Sequence, residues 1–365
     1  MKKKILYLFS DTGGGHRSAA AAVMRAVEQL KKDGPHQEMV DVFAACSGFL
    51  NIFAKMYAPV IKYSPKLWGQ LYYWLDDERK LEQLEKLSRP FILKELKKMI
   101  LEKRPDAIVS VHPLVNHLTV KAIRESGLSI PFIVVITDPV TLHRAWVTAD
   151  VDRCIVATPA AKKMAIKYGM PERKIKVIGM PIDPKFMVKA EAKVKSKARG
   201  LFTILLMGGG EGAGGMAEII EEFERTGFKG RLIVIAGRNK KLETQLKARK
   251  FSFKMTVLGF TDKVPELMAE SDLIVTKAGP GTIAEAMAMS LPIIITSWLP
   301  GQEEGNVEFV VRENVGRVSK DPRRVVELVR EIRESNEYNE MKENIKKVSR
   351  PQAALDIARE IVRYL

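Results

Sequence analysis

His16 directly follows Gly13, Gly14 and Gly15 in the stretch "LFSDTGGGHRSAAAA", between an apolar run and an alanine-rich one. A helix N-terminus carries partial positive charge and disfavours an imidazolium. A histidine held there is neutral at pH 7 and able to take a proton from a hydroxyl. The same position also suits a helix cap or a group that orients phosphate. Asp138, in "ITDP", is the rival base or an orienting carboxylate. His112, in "SVHP", either lines the same site or is a satisfied core histidine.

Three glycine segments could bind an oxyanion, because backbone amides at a helix start face outward and favour negative charge. The second, "MGGGEGAGG", contains a formal GxGxxG at Gly210, Gly212 and Gly215. That spacing alone is weak evidence for a dinucleotide. Arg238 stands where the acidic ribose partner of NAD belongs, which counts against NAD here. In the first loop Ser18 replaces the third glycine, although Asp41 follows a second strand and leaves a dinucleotide site open there. Neither loop is a Walker motif. The third segment, "TKAGPGTIAEA", places Gly279, Pro280 and Gly281 before Thr282 and Glu285. T-x-x-E is a capping box. Alternatively, the amides of Gly281 and Thr282 hold a diphosphate while Glu285 accepts from ribose hydroxyls. Gln302, Glu303 and Asn306 in "PGQEEGN" suit sugar hydroxyls, or else form an exposed polar turn.

The elements around these residues alternate. "KKKILYLFS", glycine loop, "RSAAAAVMRAVEQLKKDG" and "HQEMVDVF" read as strand, loop, helix and strand. The order repeats from residue 201 in "GLFTILLMGGGEGAGGMAEIIEEFERTGF" and "KGRLIVIAGRN". "DAIVSVHP", "PFIVVITDP" and "RCIVATP" add strands to the first half, and "KMTVLGF", "DLIVTKAG" and "LPIIITSW" to the second. Such alternation predicts two doubly wound α/β domains with parallel sheets. The expected domains are residues 1–185 and 186–349, with a helix at 350–365 free to pack on the first. "IKVIGMPIDPKF" reads as the exit from the first domain and the lysine-rich "VKAEAKVKSKARG" as the lead into the second. Ligands of open parallel sheets bind at the carboxyl ends of strands, so two such edges facing across a cleft would hold two substrates.

With 46% hydrophobic and 28% charged residues among 365, the chain is a globular protein of two domains. No apolar run reaches the length of a bilayer span. "MKKKILYLFSD" imitates a signal peptide but its apolar core stops at Phe9, which reads as the first strand of a cytoplasmic protein. Cys46 and Cys154 form no disulfide or metal pattern. The formal net charge is +16, and residues 1–185 carry +11 of it. A basic face meets nucleic acid, anionic lipid or a charged small substrate. No nucleic-acid motif accompanies the charge. Residues 43–74 hold nine of the 26 aromatics, including Phe49, Phe53, Tyr57, Tyr63, Trp68 and Trp74, interleaved with Lys55, Lys62 and Lys66. Rings among lysines suit a lipid headgroup boundary or, equally, a helical core.

Taken in order, "SDTGGGHRSAA", "VSVHPLVNH", "VITDP", "MGGGEGAGG", "AGRNKKL", "TKAGPGTIAEA" and "LPGQEEGN" resemble the monogalactosyldiacylglycerol synthases and the related bacterial processive diacylglycerol glucosyltransferases. These belong to glycosyltransferase family 28 and have the GT-B fold. The peptidoglycan N-acetylglucosaminyltransferase is a more distant relative. The resemblance implies inverting transfer of a hexose from UDP-glucose or UDP-galactose to the hydroxyl of diacylglycerol, without a catalytic metal or cofactor. By motif, Gly208, Gly209, Gly210, Glu211 and Gly212 with Lys277, Gly279, Pro280, Gly281 and Thr282 would hold the diphosphate. Gly259 and Phe260 would flank the uracil, with Arg238 and Asn239 nearby, and Glu285 would hold the ribose. Gln302, Glu303 and Asn306 would face the sugar and its phosphates. Gly14 and Gly15 would let the backbone approach the donor, and His16 would be the base, with Asp138 its rival. His112 and Trp146 fall on the acceptor side, Trp68 and Trp74 at the membrane. "TLHRAWV" departs from the "HPTWF" pattern of the plant synthases around that tryptophan. A lipid acceptor implies peripheral attachment to an anionic surface, expected on the cytoplasmic face of the cell membrane. Alternative readings are a polyprenyl-linked acceptor, a UDP-sugar epimerase, and a basic binding protein without catalysis.

Overall fold

The computed structural model describes residues 2–11, 14–46, 64–196, 200–210 and 215–365. Glu211, Gly212, Phe49, Phe53, Tyr57 and Tyr63 lie outside them. The chain forms two compact units. Unit 1 comprises Met1–Pro184, Leu299–Gly305 and Gln352–Leu365, and unit 2 comprises Lys185–Trp298 and Asn306–Pro351.

Unit 1 is built on strands β1 (Lys4–Phe9), β2 (His36–Asp41), β3 (Ala107–Ser110), β4 (Phe132–Val135), β5 (Arg153–Val156) and β6 (Ile175–Val177). They form a parallel sheet in the order β2-β1-β3-β4-β5-β6. The period of two along β1 sends alternate side chains to opposite faces. Ile5, Tyr7 and Phe9 pack with Val23 and Val27 of helix Gly15–Leu30 and with Ile357 and Ile361 of helix Ala353–Val362. Leu6 and Leu8 share the opposite core with Leu96 and Ile100 of helix Glu78–Lys103. Coverage on both faces is why β1 reads as a continuous apolar run rather than an alternating one. Each such Leu or Ile contributes roughly 1.5–3 kcal/mol by leaving water. The terminal helix is also pinned by charge. Glu360, 3% exposed, takes Arg153 Nε at 3.0 Å and Lys176 Nζ at 2.7 Å.

Unit 2 repeats the plan with β7 (Thr203–Met207), β8 (Arg231–Ile235), β9 (Lys254–Leu258), β10 (Leu273–Lys277), β11 (Ile293–Ser297) and β12 (Gly316–Val318). Their order is β12-β11-β10-β7-β8-β9, again parallel. Ile204 and Leu206 of β7 bury against Ile220 and Phe223 of helix Met216–Arg225 and Val329 and Ile332 of helix Pro322–Glu334.

Three local readings change. The lysine-rich lead-in falls largely in a helix, Lys185–Ser196, because its Lys, Ala and Glu are good helix formers. The three-residue strands β6 and β12 are too short to show a period. Segment Leu299–Gly305, inside the second half of the sequence, packs within unit 1.

Candidate active site

In both sheets the strand order reverses beside the first strand of the unit: between β1 and β3, and between β7 and β10. At such a switch point the loops leaving neighbouring strands part to opposite faces and open a crevice at their carboxyl ends. The loop carrying His16 leaves β1 and the one carrying His112 leaves β3. Gly208–Gly210 leave β7, and Lys277–Gly281 span the end of β10. Each unit thus gathers candidate residues at its own switch point.

In unit 1, Gly14 is the N-cap of helix Gly15–Leu30 at φ 83°, a left-handed conformation that glycine adopts without strain. No side chain caps this helix, so His16 is not a cap. Its ring sits in the first turn, half-buried, with Thr137 Oγ1 3.2 Å from Nδ1. The His112 ring meets it edge-on at 4.8 Å between centroids, and Trp146 lies at 6.0 Å. Burial pushes the His16 imidazole down to about 4, against a hydrogen bond with the Val111 backbone that favours the charged ring. Burial and then the His16 charge hold His112 well below the usual histidine range. His112 is 3% exposed, packs edge-on to Phe43 at 5.2 Å, and its Nδ1 has no hydrogen-bond partner among the described residues. Both imidazoles are therefore neutral at pH 7, and His16 is the less buried of the two.

Asp138 does not touch His16; the preceding Thr137 does. Trp146 Nε1 donates to Asp138 Oδ2 at 2.6 Å, and Asn116 Nδ2 holds the Trp146 carbonyl at 3.1 Å. Burial pushes the Asp138 carboxyl up to about 7; the Trp146 hydrogen bond opposes that and the Glu303 charge adds to it. Trp146 is fully buried, so its ring is unavailable to a membrane surface. Trp74, by contrast, is 53% exposed with Lys80 Nζ 4.7 Å from its ring centre. Trp68 is half-buried. Glu303 is buried in unit 1 with Oε2 accepting from the Leu299 amide at 2.9 Å, and Gln302 beside it is half-buried.

In unit 2, the Lys277 side chain runs between two glycine segments. Its Cε lies 3.1 Å from where a Cβ on Gly209 would sit and 3.5 Å from one on Gly279. The Arg238 amide donates to the Gly210 carbonyl at 2.8 Å. A Cβ on Gly237 would stand 2.5 Å from that same carbonyl oxygen, so the β7 and β8 loops meet only because residue 237 has none. The exposed Arg238 guanidinium stacks on Phe260, 5.1 Å from the ring centre, and Phe260 is 68% exposed after Gly259 at the end of β9. Glu243 Oε2 would clash at 2.6 Å with a Cβ on Gly259. Two cations and an open aromatic face thus surround the glycine backbone, a combination that suits a diphosphate and a base.

Three residues have plainer surroundings. Asn239 Oδ1 accepts from the Leu242 amide at 3.0 Å and caps helix Lys240–Lys247. Asn306 Nδ2 donates to the Ala278 carbonyl at 2.9 Å and braces the β10 loop from within. Helix Pro280–Ala288 starts from Gly279 with no side-chain cap. Thr282 and Glu285 therefore lie inside the helix, and the capping box read from T-x-x-E does not form. Both keep partial exposure, as do Pro280 and Gly281. Sequence reasoning did not single out Thr137 or Asn116, and it placed Phe43 only among the aromatics of residues 43–74. Thr137 had a signal, since it sits at the carboxyl end of β4 beside Asp138, where ligand-facing residues collect. Among the described residues no group of three or more His, Cys, Asp or Glu side chains is arranged to hold a metal ion.

Residues 16–182 match the family described as monogalactosyldiacylglycerol (MGDG) synthase, and residues 203–360 match the glycosyltransferase family 28 C-terminal domain. The chain is 35% identical to a probable monogalactosyldiacylglycerol synthase, chloroplastic, of Glycine max over 98% of its own length and 71% of the relative's. It is 34% identical to monogalactosyldiacylglycerol synthase 1, chloroplastic, of Arabidopsis thaliana, over 98% and 70%. Among solved structures, MurG of Acinetobacter baumannii superposes with a TM-score of 0.64 at 14% identity over 99% of both chains. Anabaena Alr3699/HepE in complex with UDP and glucose gives 0.56 at 14% identity, over 100% of both. The relatives are described as chloroplastic, which overturns the expected placement on the cytoplasmic face of a cell membrane. Among the described residues no helix is long and apolar enough to cross a membrane. With two parallel switch-point sheets, the motif set in register along both halves and relatives of one kind over nearly its full length, the chain belongs to the monogalactosyldiacylglycerol synthase family and is a glycosyltransferase of GT-B fold.

Proposed function

We propose that the protein transfers a hexose from a UDP-sugar to the free hydroxyl of a diacylglycerol-type lipid, with inversion at the anomeric carbon. The observation that carries this reading is the neutral His16, held by Thr137 at the switch point of unit 1. In the reaction His16 removes the acceptor hydroxyl proton as the oxygen attacks the anomeric carbon. The bond from that carbon to the UDP oxygen breaks, and UDP departs with the electron pair. A single displacement of this kind inverts configuration. Base catalysis here is worth about 10²–10⁴ in rate.

Negative charge grows on the leaving diphosphate. In this reading it meets Lys277, Arg238 and the backbone of Gly208–Gly210 and Gly279–Thr282, which stabilise it more in the transition state than in the bound donor. Phe260 and Gly259 flank the uracil, and Glu285 accepts from the ribose. Gln302 and Glu303 face the sugar, and Asn306 supports the loop beneath it. Asp138, ionised as pH rises through about 7, holds the indole N–H of Trp146, whose ring lies beside His16, and in this reading it supports the base through that ring rather than replacing it. Every proton and charge is handled by residues of the chain, so the reading calls for no cofactor. The family relatives, named for a diacylglycerol product, support the lipid acceptor, and the net charge of +16 supports an anionic surface as its setting.

The test is a matrix of donors and acceptors. UDP-glucose and UDP-galactose are offered with diacylglycerol in anionic vesicles, and the lipid products are resolved by mass and by anomeric configuration. A glycolipid of inverted configuration with one donor is expected. No glycolipid with either donor, or one of retained configuration, overturns the reading.

A further inference from the structure

Helix Pro65–Leu75 has two faces with different surroundings in unit 1. Its inner face lies on the Leu299–Gly305 loop. A Cβ on Gly69 would stand 2.7 Å from Pro300 Cβ, and a Cβ on Gly301 would stand 2.7 Å from Tyr72 Cδ1. Gly301 also has φ +78°, so it is required twice over. Tyr73 donates its hydroxyl to Glu304 Oε2 at 2.5 Å, closing the contact at the loop's far end. Helix and loop touch through glycine on both sides, so neither moves without the other.

The outer face is apolar and open. Leu67, Leu71 and Trp74, spaced i, i+4, i+7, are 56%, 40% and 53% exposed. Lys80 lies over Trp74 and carries the surface onto helix Glu78–Lys103. There Leu84, Leu87 and Phe91 continue it at i, i+3, i+7, all exposed, Leu87 at 74%. The same side of that helix then presents exposed Lys94 and Lys98, and Lys66 is exposed beside Leu67. Two helical faces of apolar bodies flanked by ammonium groups match a bilayer whose headgroups are anionic, with the rings and leucines below the phosphates and the lysines among them.

We propose that helix Pro65–Leu75 is a bilayer-docking element that governs the Leu299–Gly305 loop: its outer face enters an anionic membrane surface, and that docking orders the loop held on its inner face. Gln302 and Glu303 sit in this loop, so the inference rests on the transferase reading for its consequence, which is that donor-side residues are set only when the enzyme is on the membrane. The physical link is short. The loop's own fastening is the Glu303 amide to the Leu299 carbonyl at 3.0 Å and the Leu299 amide to Glu303 Oε2 at 2.9 Å. Fixing the helix removes the motion that opens those two bonds.

The experiment uses the full chain and the double variant Leu67→Glu/Leu71→Glu, whose positions are exposed, with an unchanged circular dichroism spectrum as the control for folding. Flotation with vesicles of phosphatidylcholine and phosphatidylglycerol measures binding, and hydrogen exchange measures protection of the Leu299 and Glu303 amides. Wild type is expected to float with the anionic vesicles and far less with pure phosphatidylcholine, and the variant to bind at least about tenfold more weakly. Vesicles should slow exchange at both amides in wild type and leave the variant unchanged. Equal flotation of the two proteins overturns the docking face. Bound wild type with unaltered exchange at the loop overturns the coupling. A wild-type dimer that the variant dissolves assigns the face to a second copy and overturns the proposal. Failure of sugar transfer in the same samples would refute the transferase reading alone, since neither readout depends on turnover.

Discussion

Asp138→Asn should make this protein more stable, and the gain should grow with pH. Burial raises the Asp138 carboxyl from 3.8 to about 7. The native state therefore holds its proton more tightly than the unfolded chain does. Stability from that proton is complete below about 3.8 and is lost as pH rises through about 7. A shift of roughly three units at 1.36 kcal/mol each makes the ionised group cost the fold about 4 kcal/mol at alkaline pH. Roughly 2–3 kcal/mol of this falls between pH 5 and pH 8 by the same linkage. Asparagine does not titrate, and its Oδ1 still accepts from Trp146 Nε1. Urea unfolding of both proteins at pH 5 and pH 8 isolates the effect, because the groups not coupled to Asp138 are shared and cancel in the difference. Three of the four tryptophans, Trp68, Trp74 and Trp146, belong to unit 1, so most of the fluorescence signal follows the right part of the chain. The variant should gain roughly 2–3 kcal/mol on wild type between the two pH values. A difference constant within about 0.5 kcal/mol would refute the reasoning, since that is ordinary additivity error. A carboxylate kept at this expense, where an amide would fold better, is what a site under functional constraint looks like.

Thr137→Val removes the hydroxyl at His16 Nδ1 and keeps the side-chain shape. Loss of one hydrogen bond of about 1–1.5 kcal/mol should lower kcat about tenfold with KM for the donor unchanged; a change confined to KM would contradict it. Glu285→Ala should weaken UDP binding by about tenfold or more while the melting temperature stays within a degree or two, because Gly279 rather than Thr282 starts that helix. Unchanged affinity with lost stability would restore the capping role by calorimetry. Gly237→Ala puts a Cβ 2.5 Å from the Gly210 carbonyl at φ +60°. Unit 2 should lose roughly 1–3 kcal/mol and UDP affinity together, measurable by urea unfolding and titration.

The doubly wound plan was legible because both β1 and β7 are buried on two faces and so read as unbroken apolar runs closed by glycine. Switch-point loops follow from strand order, which the sequence does not state, yet the glycines of the first, second and third segments mark them. Less visible were the partners of the marked residues. Thr137 reaches His16 only across 121 residues of chain, and no local pattern foretells that. "TIAE" has the letters of a capping box, but proline at 280 starts the helix two residues sooner. Trp146 reads as an acceptor-side residue by motif; the letters do not show that it is fully buried with its indole N–H on Asp138. The lysine-rich segment reads only as the lead into the second domain, and the helix it belongs to starts earlier, at Lys185. Segment Leu299–Gly305 follows β11 in the chain but packs on Gly69 and Tyr72, and only the shape of two glycines records that partnership.

The central claim is that His16 takes the acceptor's proton while the donor is held by other residues. It is tested most directly by His16→Ala, with hexose transfer from the productive UDP-sugar to diacylglycerol in vesicles and UDP affinity measured on the same preparation. Transfer should fall by about 10²–10⁴, given what a positioned base contributes, with the dissociation constant for UDP within about twofold of wild type. Transfer that persists, or a loss of UDP affinity that accounts for the fall, would contradict the account and move His16 from the acceptor to the donor.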